Sequence, residues 1–192
     1  VNSAIVGKLN NDKSGYENLE NIPCDCICVS GNWTPTVHLS SQSGNKLKFD
    51  EMISAFIPNQ SRQNETTVGS AKGSFTLKKS LEEGFNKGFE ASNKLTKKNI
   101  KIDPPTSNEK SYGNYEKFWC MPLPENKYYK RCVDFQNDVY VSDIELAIRE
   151  GFRSIEHVKR YTTLGMATDQ GKTSNLNGLQ LVSNIENKIV PE

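Results

Sequence analysis

The stretch Phe118–Asn175 constrains the fold of this chain more than any other part of it. It contains the runs VDFQNDV, SDIELAIREG, SIEHVKRYTTLGM and TDQGKTSN, in which turn-forming, helix-capping and apolar residues alternate. The run SDIE has the pattern of a capping box, with Ser142 as the N-cap and Glu145 at the third helical position. We therefore expect a helix that continues to Glu150 and ends at Gly151, because glycine readily takes the left-handed conformation there.

Two further helices are expected in the same stretch. Ser154 opens a second helical pattern that breaks around Gly165, and either Thr173 or Ser174 can cap a third helix. The apolar positions of the three helices are Ile144, Ala147, Ile148, Ile155, Val158, Leu176, Leu179 and Val182. Three short helices joined by loops predict a small, mainly α unit that needs packing against something larger.

A polar segment separates this unit from the rest of the chain. Residues 94–117 contain two consecutive prolines and almost no apolar periodicity, which is typical of a linker. We therefore divide the chain into a first unit at 1–95, a linker at 96–115 and a second unit at 116–190.

The first unit reads as part of an α/β domain. Its expected strands are Ala4–Leu9, Cys24–Val29, a hairpin that turns at Gly44-Asn45 between residues 38–39 and 46–49, and residues 66–68. The run Cys24–Val29 is almost continuously apolar, as expected of a strand covered on both faces.

Cys24, Cys26 and Cys28 would share one face of that strand. A thiolate metal site is one interpretation, but Cys120 and Cys132 lack the paired spacing that would complete it. The favoured interpretation is a buried strand in a reducing cytoplasm, with each free cysteine acting as a small apolar residue.

A glycine-containing loop at residues 69–73 leads into an expected helix, Thr76–Asn93. Leu77, Leu81, Phe85 and Phe89 form its apolar stripe. Gly84 and Gly88 lie beside the stripe, and we expect them to allow close approach of a neighbouring backbone. The first turn of such a helix has free N–H groups that suit an anion such as a pyrophosphate.

The order CDCICVSGNWTPTVHL, FDEMISAFIPN and VGSAKGSFTLKKSLEEGFNKGFEAS resembles the final third of a nucleotide-binding flavoprotein domain, specifically that of heterotetrameric sarcosine oxidase alpha subunits. Ser70 and Ala71 replace the acidic residue with which related reductases hold a flavin. The resemblance therefore implies noncovalent NAD at a partial site bordered by Gly69, Ser70, Ala71, Phe75 and Thr76. The GxGxxG segment that holds the other end of such a cofactor is absent.

The second unit resembles the bacterioferritin-associated ferredoxin type of [2Fe–2S] domain. That family carries a CxC pair before the first helix and a second cysteine pair around a GM…QG segment. The matching positions in this sequence are Asp134, Gln136, Asp169 and Ser174. Since iron–sulfur clusters are held by thiolates, the resemblance implies this fold without cluster ligands, so we expect no cluster and no other metal. The substitutions at these four positions resemble those in the sarcosine oxidase branch of that domain family.

Arg160 and Lys172 flank loops with free N–H groups, which would suit a flavin phosphate or an acidic partner surface. The alternative is a solvated helix face. His38 and His157 are the two histidines of the chain, and no catalytic triad, carboxylate pair or metal-spaced histidine set can be assembled around them. We expect no catalytic residue.

Charge and hydropathy exclude several classes of protein. The net charge of +1 argues against binding to nucleic acid or to a membrane surface, because both need a basic field. No apolar run approaches the roughly 20 residues of a membrane helix. The N-terminus reads as the middle of a strand, so the chain looks like a piece of a longer, cytoplasmic protein.

The resemblance implies a segment of the alpha subunit of an enzyme complex. In that family the whole enzyme oxidatively demethylates sarcosine to glycine and passes the one-carbon unit to tetrahydrofolate. Flavins and the beta subunit belong to the complete complex, so this chain would be a scaffold and partial cofactor wall without activity of its own. The alternatives are a subunit of a related amino-acid or opine dehydrogenase, and a non-catalytic binding module.

Overall fold

A computed structural model of the chain describes residues 1–29, 31, 33–96, 102–109, 117–123 and 129–190. The chain forms two compact units, residues 31–117 and residues 1–30 with 118–192. Below, the first unit means residues 31–117, and the second unit means residues 1–30 with 118–192. The domain boundaries expected from the sequence stay a prediction.

The described residues form six short strands and five α-helices. The strands are β1 (Ser3–Leu9), β2 (Tyr16–Pro23), β3 (Lys46–Asp50), β4 (Ala55–Gln60), β5 (Cys132–Asp134) and β6 (Val139–Tyr140). The helices are α1 (His38–Gln42), α2 (Leu77–Thr96), α3 (Val141–Arg149), α4 (Ile155–Thr162) and α5 (Asn175–Ile185), with a 3₁₀ turn at Gly69–Lys72. The strands pair as three antiparallel hairpins, β1–β2, β3–β4 and β5–β6. The mixed α/β class is confirmed, whereas the likeness to the ferredoxin fold stays a prediction.

The first hairpin corrects the expectation for the cysteine-rich run. β1 is confirmed, but it pairs with β2, in a register that sets Ala4 opposite Ile22. The chain reverses between them at a turn in which the Gly15 N–H donates to Asn10 Oδ1 at 2.9 Å. The strand expected at Cys24–Val29 is wrong: β2 ends at Pro23, and residues 24–29 belong to no described strand. Cys26 and Cys28 are exposed.

The second hairpin also differs from the expectation. Residues 38–39 belong to α1, and β3 pairs with β4 through a turn in which the Met52 N–H donates to Asp50 Oδ1 at 2.9 Å. The hairpin turn expected at Gly44-Asn45 is therefore wrong; Gly44, with φ +80°, follows α1 instead. Residues 66–68 are not a strand either, although Val68 is extended.

Helix α2 is confirmed, but its packing is not as expected. None of its residues is buried. A Cβ atom added at Gly84 or at Gly88 would meet nothing within 4 Å in the described structure. The expected close backbone contact at these glycines is therefore wrong for the described residues. The helix is not apolar enough to cross a bilayer, and the same holds for every other described helix.

The three expected helices of the second unit are present. Helix α3 begins one residue before Ser142, so Ser142 is not its N-cap. Tyr140 takes that position, and its N–H donates to Asp143 Oδ2 at 2.8 Å. Gly151 follows the helix with φ +97°, as expected. Ser154 precedes α4 and Ser174 precedes α5, also as expected.

The hairpin β5–β6 and helices α3, α4 and α5 enclose one apolar core. Its buried residues are Val133, Val139, Val141, Ile144, Ala147, Val158, Leu164, Leu181 and Val182. Leu164 is fully buried and lies against Gly178 of α5 so closely that an added Cβ atom there would overlap Leu164 Cδ2. The loop before α5 and the helix itself are therefore packed without spare volume.

We expect Gly178→Ala to lower the free energy of unfolding of this unit by about 1–3 kcal/mol, because the added methyl group overpacks the core. In an open helix the same substitution should stabilise by up to about 1 kcal/mol. Gly88→Ala in α2 is the matched control, since nothing lies near its Cβ position. Thermal and urea unfolding of both variants measure the difference.

A double-mutant cycle with Leu164→Val locates the clash. The smaller side chain should relieve part of the Gly178→Ala effect, so that the double variant is more stable than the sum of the single changes predicts. If Gly178→Ala were stabilising, or if the two changes were additive, the packing described here would be contradicted.

Candidate functional site

The most densely bonded polar group of the second unit is the carboxylate of Asp134, at the end of β5. The residue is only 1% exposed. Its Oδ1 accepts the N–H groups of Gln136 at 2.9 Å and of Asn137 at 3.3 Å. Its Oδ2 accepts the Gly165 N–H at 2.8 Å and the Ser174 hydroxyl at 3.3 Å. Four donors thus compensate the cost of burying this charge.

This carboxylate joins three segments that are distant in sequence. Gln136 and Asn137 lie in the β5–β6 turn, Gly165 in the loop after α4, and Ser174 at the start of α5. Side chains of the turn add two more contacts to the same loop. Asn137 Nδ2 donates to the Thr163 carbonyl at 2.8 Å, and the Thr168 hydroxyl donates to Gln136 Oε1 at 2.9 Å.

The four positions that were matched to cluster cysteines in the sequence analysis are thus partly brought together. Asp134 contacts Ser174 directly, and Gln136 contacts the residue before Asp169. The Asp169 carboxylate accepts the Gly171 N–H at 3.0 Å and the Thr173 N–H at 3.1 Å. A further hydrogen bond from the Thr173 hydroxyl is the largest cause that lowers the pKa of Asp169 below its ordinary value.

These four side chains are therefore used in hydrogen bonds within the chain. In the part of the chain that the structure describes, no group of three or more His, Cys, Asp or Glu side chains could hold a metal ion. The chemistry of the four positions is also not that of a cluster site, since thiolates are absent from all of them. The lack of an iron–sulfur cluster stays a prediction.

Two glycines complete the packing at the start of α5. Gly165 has φ +67° and Gly171 has φ +73°. A Cβ atom added to either would collide with the amide of Asn175. Asn175 Oδ1 is buried without a hydrogen-bond partner in the described structure, while its Nδ2 donates to the Gln170 carbonyl at 3.4 Å. Only glycine fits both the backbone conformation and the space at these positions.

In the first unit, the predicted cofactor loop is arranged around a carboxylate of the chain itself. Gly69 has φ +66°, and its N–H donates to Glu83 Oε2 at 2.9 Å. The Ser74 hydroxyl donates to Glu83 Oε1 at 2.8 Å. Lys72 Nζ lies 3.7 Å from the same oxygen. Sequence reasoning missed Glu83, because no local signal links it to a loop fourteen residues earlier.

The electrostatics of Glu83 follow from these contacts. Partial burial raises the pKa of its carboxyl group, but the hydrogen bonds from Gly69 and Ser74 and the charges of Lys72 and Lys79 outweigh it. The net pKa is below the ordinary value. Glu83 is therefore the ionised acceptor of this loop at neutral pH.

The other residues expected to border NAD lie along the same turn. Ser70 and Ala71 belong to the 3₁₀ turn, and the Phe75 ring lies 6.5 Å from the Trp33 ring. Thr76 Oγ1 accepts the Lys79 N–H at 3.4 Å. The structure thus brings Gly69, Ser70, Ala71, Phe75 and Thr76 together on one short segment, but contact with NAD stays a prediction.

Arg160 and Lys172 are exposed, and neither forms an ion pair with a described residue. Arg160 lies on α4, and Lys172 lies in the loop before α5. Both histidines are exposed as well. The contact of these cations with a flavin phosphate stays a prediction, as does the alternative of a solvated helix face.

A cavity of about 310 Å³ lies between the start of α4 and the end of α5, and sequence reasoning did not identify it. Its lining residues are Arg153, Ser154, Ile155, Leu179, Val182, Ser183, Lys188, Ile189 and Val190. None of the predicted site residues is among them. The cavity and the Asp134 contacts therefore form separate features of the second unit.

We expect Asp134→Asn to lower the free energy of unfolding of the second unit by about 2–4 kcal/mol. The amide has one acceptor oxygen, so two of the four donors lose their partner. Asp138→Asn is the matched control: it removes a carboxylate from the same turn, is exposed, and should change stability by less than about 0.5 kcal/mol. Urea unfolding measures both. Equal effects would mean that Asp134 contributes charge alone.

The lowered pKa of Glu83 predicts acid-sensitive stability in the first unit. Because the folded pKa lies below the unfolded one, the carboxylate stabilises the fold above the ordinary Glu value of about 4.3. This contribution is lost as the pH falls through the folded pKa. In thermal unfolding as a function of pH, the Tm of Glu83→Gln should therefore fall less at acid pH than the Tm of the parent chain. Glu82→Gln is the control, and it should leave the pH profile unchanged.

Residues 128–192 match a family model described as the sarcosine oxidase A3 domain. The chain is also similar to the sarcosine oxidase subunit alpha of Corynebacterium sp. (strain P-1), with 31% identity over 187 residues that cover 95% of this chain and 19% of that protein. It is 34% identical to the subunit alpha of Rhizobium meliloti (strain 1021) over 168 residues, covering 85% of this chain and 16% of that protein.

The chain thus spans less than a fifth of the length of the curated relatives it matches. These relatives are named as subunits, which implies assemblies of more than one chain. The resemblance expected from the sequence is confirmed: nearly the whole chain is similar to a segment of sarcosine oxidase alpha subunits, and residues 128–192 match the model of the sarcosine oxidase A3 domain.

Proposed function

We propose that this chain is a segment of the alpha subunit of a sarcosine oxidase complex and serves there as a scaffold. The complete assembly would demethylate sarcosine oxidatively to glycine and transfer the one-carbon unit to tetrahydrofolate. Its flavins, its folate site and its other subunits, the beta subunit especially, would lie outside this chain. The observation that carries the proposal is the similarity to alpha subunits along both units.

The bonding of the polar groups supports a structural role. The donors around Asp134 and around Glu83 are all turned to carboxylates of the chain itself. A catalytic acid or base needs a substrate atom within hydrogen-bond reach. The Asp134 carboxylate already accepts four hydrogen bonds within the chain, and the Glu83 carboxylate accepts one on each oxygen. Within the described ranges, both histidines are exposed, and neither forms an ion pair with a carboxylate. The chain therefore offers a folded support and leaves the redox chemistry to flavins elsewhere in the assembly.

Two alternatives make different predictions for the assembly. A related amino-acid or opine dehydrogenase would reduce its flavin with another substrate. A non-catalytic binding module would contain no flavin at all. Substrate and chromophore therefore discriminate among the three.

The assembly is purified through an affinity tag on this chain, expressed in the cells it comes from. We expect it to contain flavin that sarcosine reduces, with glycine and an opine as control substrates that do not. The 192-residue chain purified alone should be colourless. Flavin reduction by the opine but not by sarcosine would overturn the proposal in favour of a dehydrogenase. A colourless assembly would overturn it in favour of a binding module.

A further inference from the structure

The resemblance implies NAD at the loop 69–76, and the described contacts provide a direct test of that fit. A phosphate bound there would need the free N–H of Gly69, together with nearby hydroxyl or ammonium groups. In the structure, the Gly69 N–H, the Ser74 hydroxyl and the Lys72 ammonium group all face one carboxylate, that of Glu83. The donors of the loop are therefore already bound to an anion.

The geometry leaves little freedom for a second anion. Both oxygens of Glu83 accept a hydrogen bond, at 2.9 Å from Gly69 and at 2.8 Å from Ser74. Ser80 strengthens the same arrangement, because its hydroxyl donates to the Ser74 carbonyl at 3.0 Å and fixes the loop against α2. A phosphate that approached the Gly69 N–H would meet the negative charge of Glu83 at close range, and like charges at that distance repel strongly.

The start of α2 shows the same arrangement a few residues later. The Leu77 N–H, which belongs to the first turn of the helix, donates to the carboxylate of Glu109. Two backbone donors at the two ends of the predicted cofactor segment are thus both bound to side-chain carboxylates of this chain. The described segment does not fit the pyrophosphate of a dinucleotide.

We propose that Glu83 is an internal anion that closes the loop 69–74 against phosphate. In the parent chain the loop does not take the pyrophosphate of NAD. The donors that Glu83 occupies form an anion site only when its carboxylate is removed. The charges around it support this assignment: Lys72 and Lys79 are the cations that face Glu83, from the 3₁₀ turn and from α2. Without the carboxylate, these cations would remain beside the free Gly69 N–H.

The proposal is tested with inorganic pyrophosphate as the probe and the 192-residue chain as the protein. Thermal unfolding is followed at increasing pyrophosphate concentration for the parent chain, for Glu83→Ala and for Glu82→Ala. Glu82 is the matched control because it lies on the same helix and its side chain forms no hydrogen bond with a described residue. We expect a concentration-dependent rise in Tm for Glu83→Ala alone. The same comparison with NAD shows whether the dinucleotide also raises the Tm of Glu83→Ala alone.

Two results would overturn the proposal. One is a rise in Tm for the parent chain or for Glu82→Ala as large as that for Glu83→Ala. The other is a folded Glu83→Ala variant that does not respond at all. If that variant fails to fold, an NMR titration of the parent chain decides instead. No shift of the Gly69 amide with pyrophosphate supports closure by Glu83, and a saturable shift contradicts it.

Discussion

The second unit depends on the buried carboxylate of Asp134, which accepts four hydrogen bonds. A charge as deeply buried as that of Asp134 is tolerated only where hydrogen bonds replace its hydration. The four donors that do so come from the β5–β6 turn, from Gly165 and from Ser174. The apolar core beneath is small, so the relative positions of the hairpin, the loop and α5 follow as much from this ion as from side-chain packing.

The first unit uses the same device at a different place. Gly69 and Gly165 both have a left-handed backbone, with φ +66° and +67°, and both donate their N–H to a carboxylate far away in sequence. A glycine in this conformation points its N–H group away from the neighbouring backbone, and no Cβ atom blocks the approach of an acceptor. Asp134 and Glu83 therefore act as anchors for turns that have little apolar surface of their own.

Local signals in the sequence were sufficient for helices α2 to α5 and for the positions of β1 and β3, but not for α1 or for the pairing of the strands. Helices α3, α4 and α5 were predicted because caps, glycines and apolar spacing all act within one turn of the chain. The N-cap of α3 was misplaced because Asp143 and Glu145 both fit a capping pattern, and the structure uses Asp143. The run Cys24–Val29 is apolar enough for a strand, but pairing depends on a partner, which no local pattern specifies. For the same reason the contacts of Asp134 and Glu83 with distant glycines could not be read from the sequence.

An oxygen acceptor and a thiolate at the same position of such a loop would have different uses. A cysteine at position 134 would be a poor acceptor for the backbone N–H of Gly165, whereas a carboxylate accepts it strongly and carries three more bonds. An acceptor whose lone pairs are all engaged by N–H and O–H donors has none left for a metal ion. The hydrogen bonds that hold this loop together thus occupy the acceptor sites of Asp134, which supports the structural role proposed for this chain.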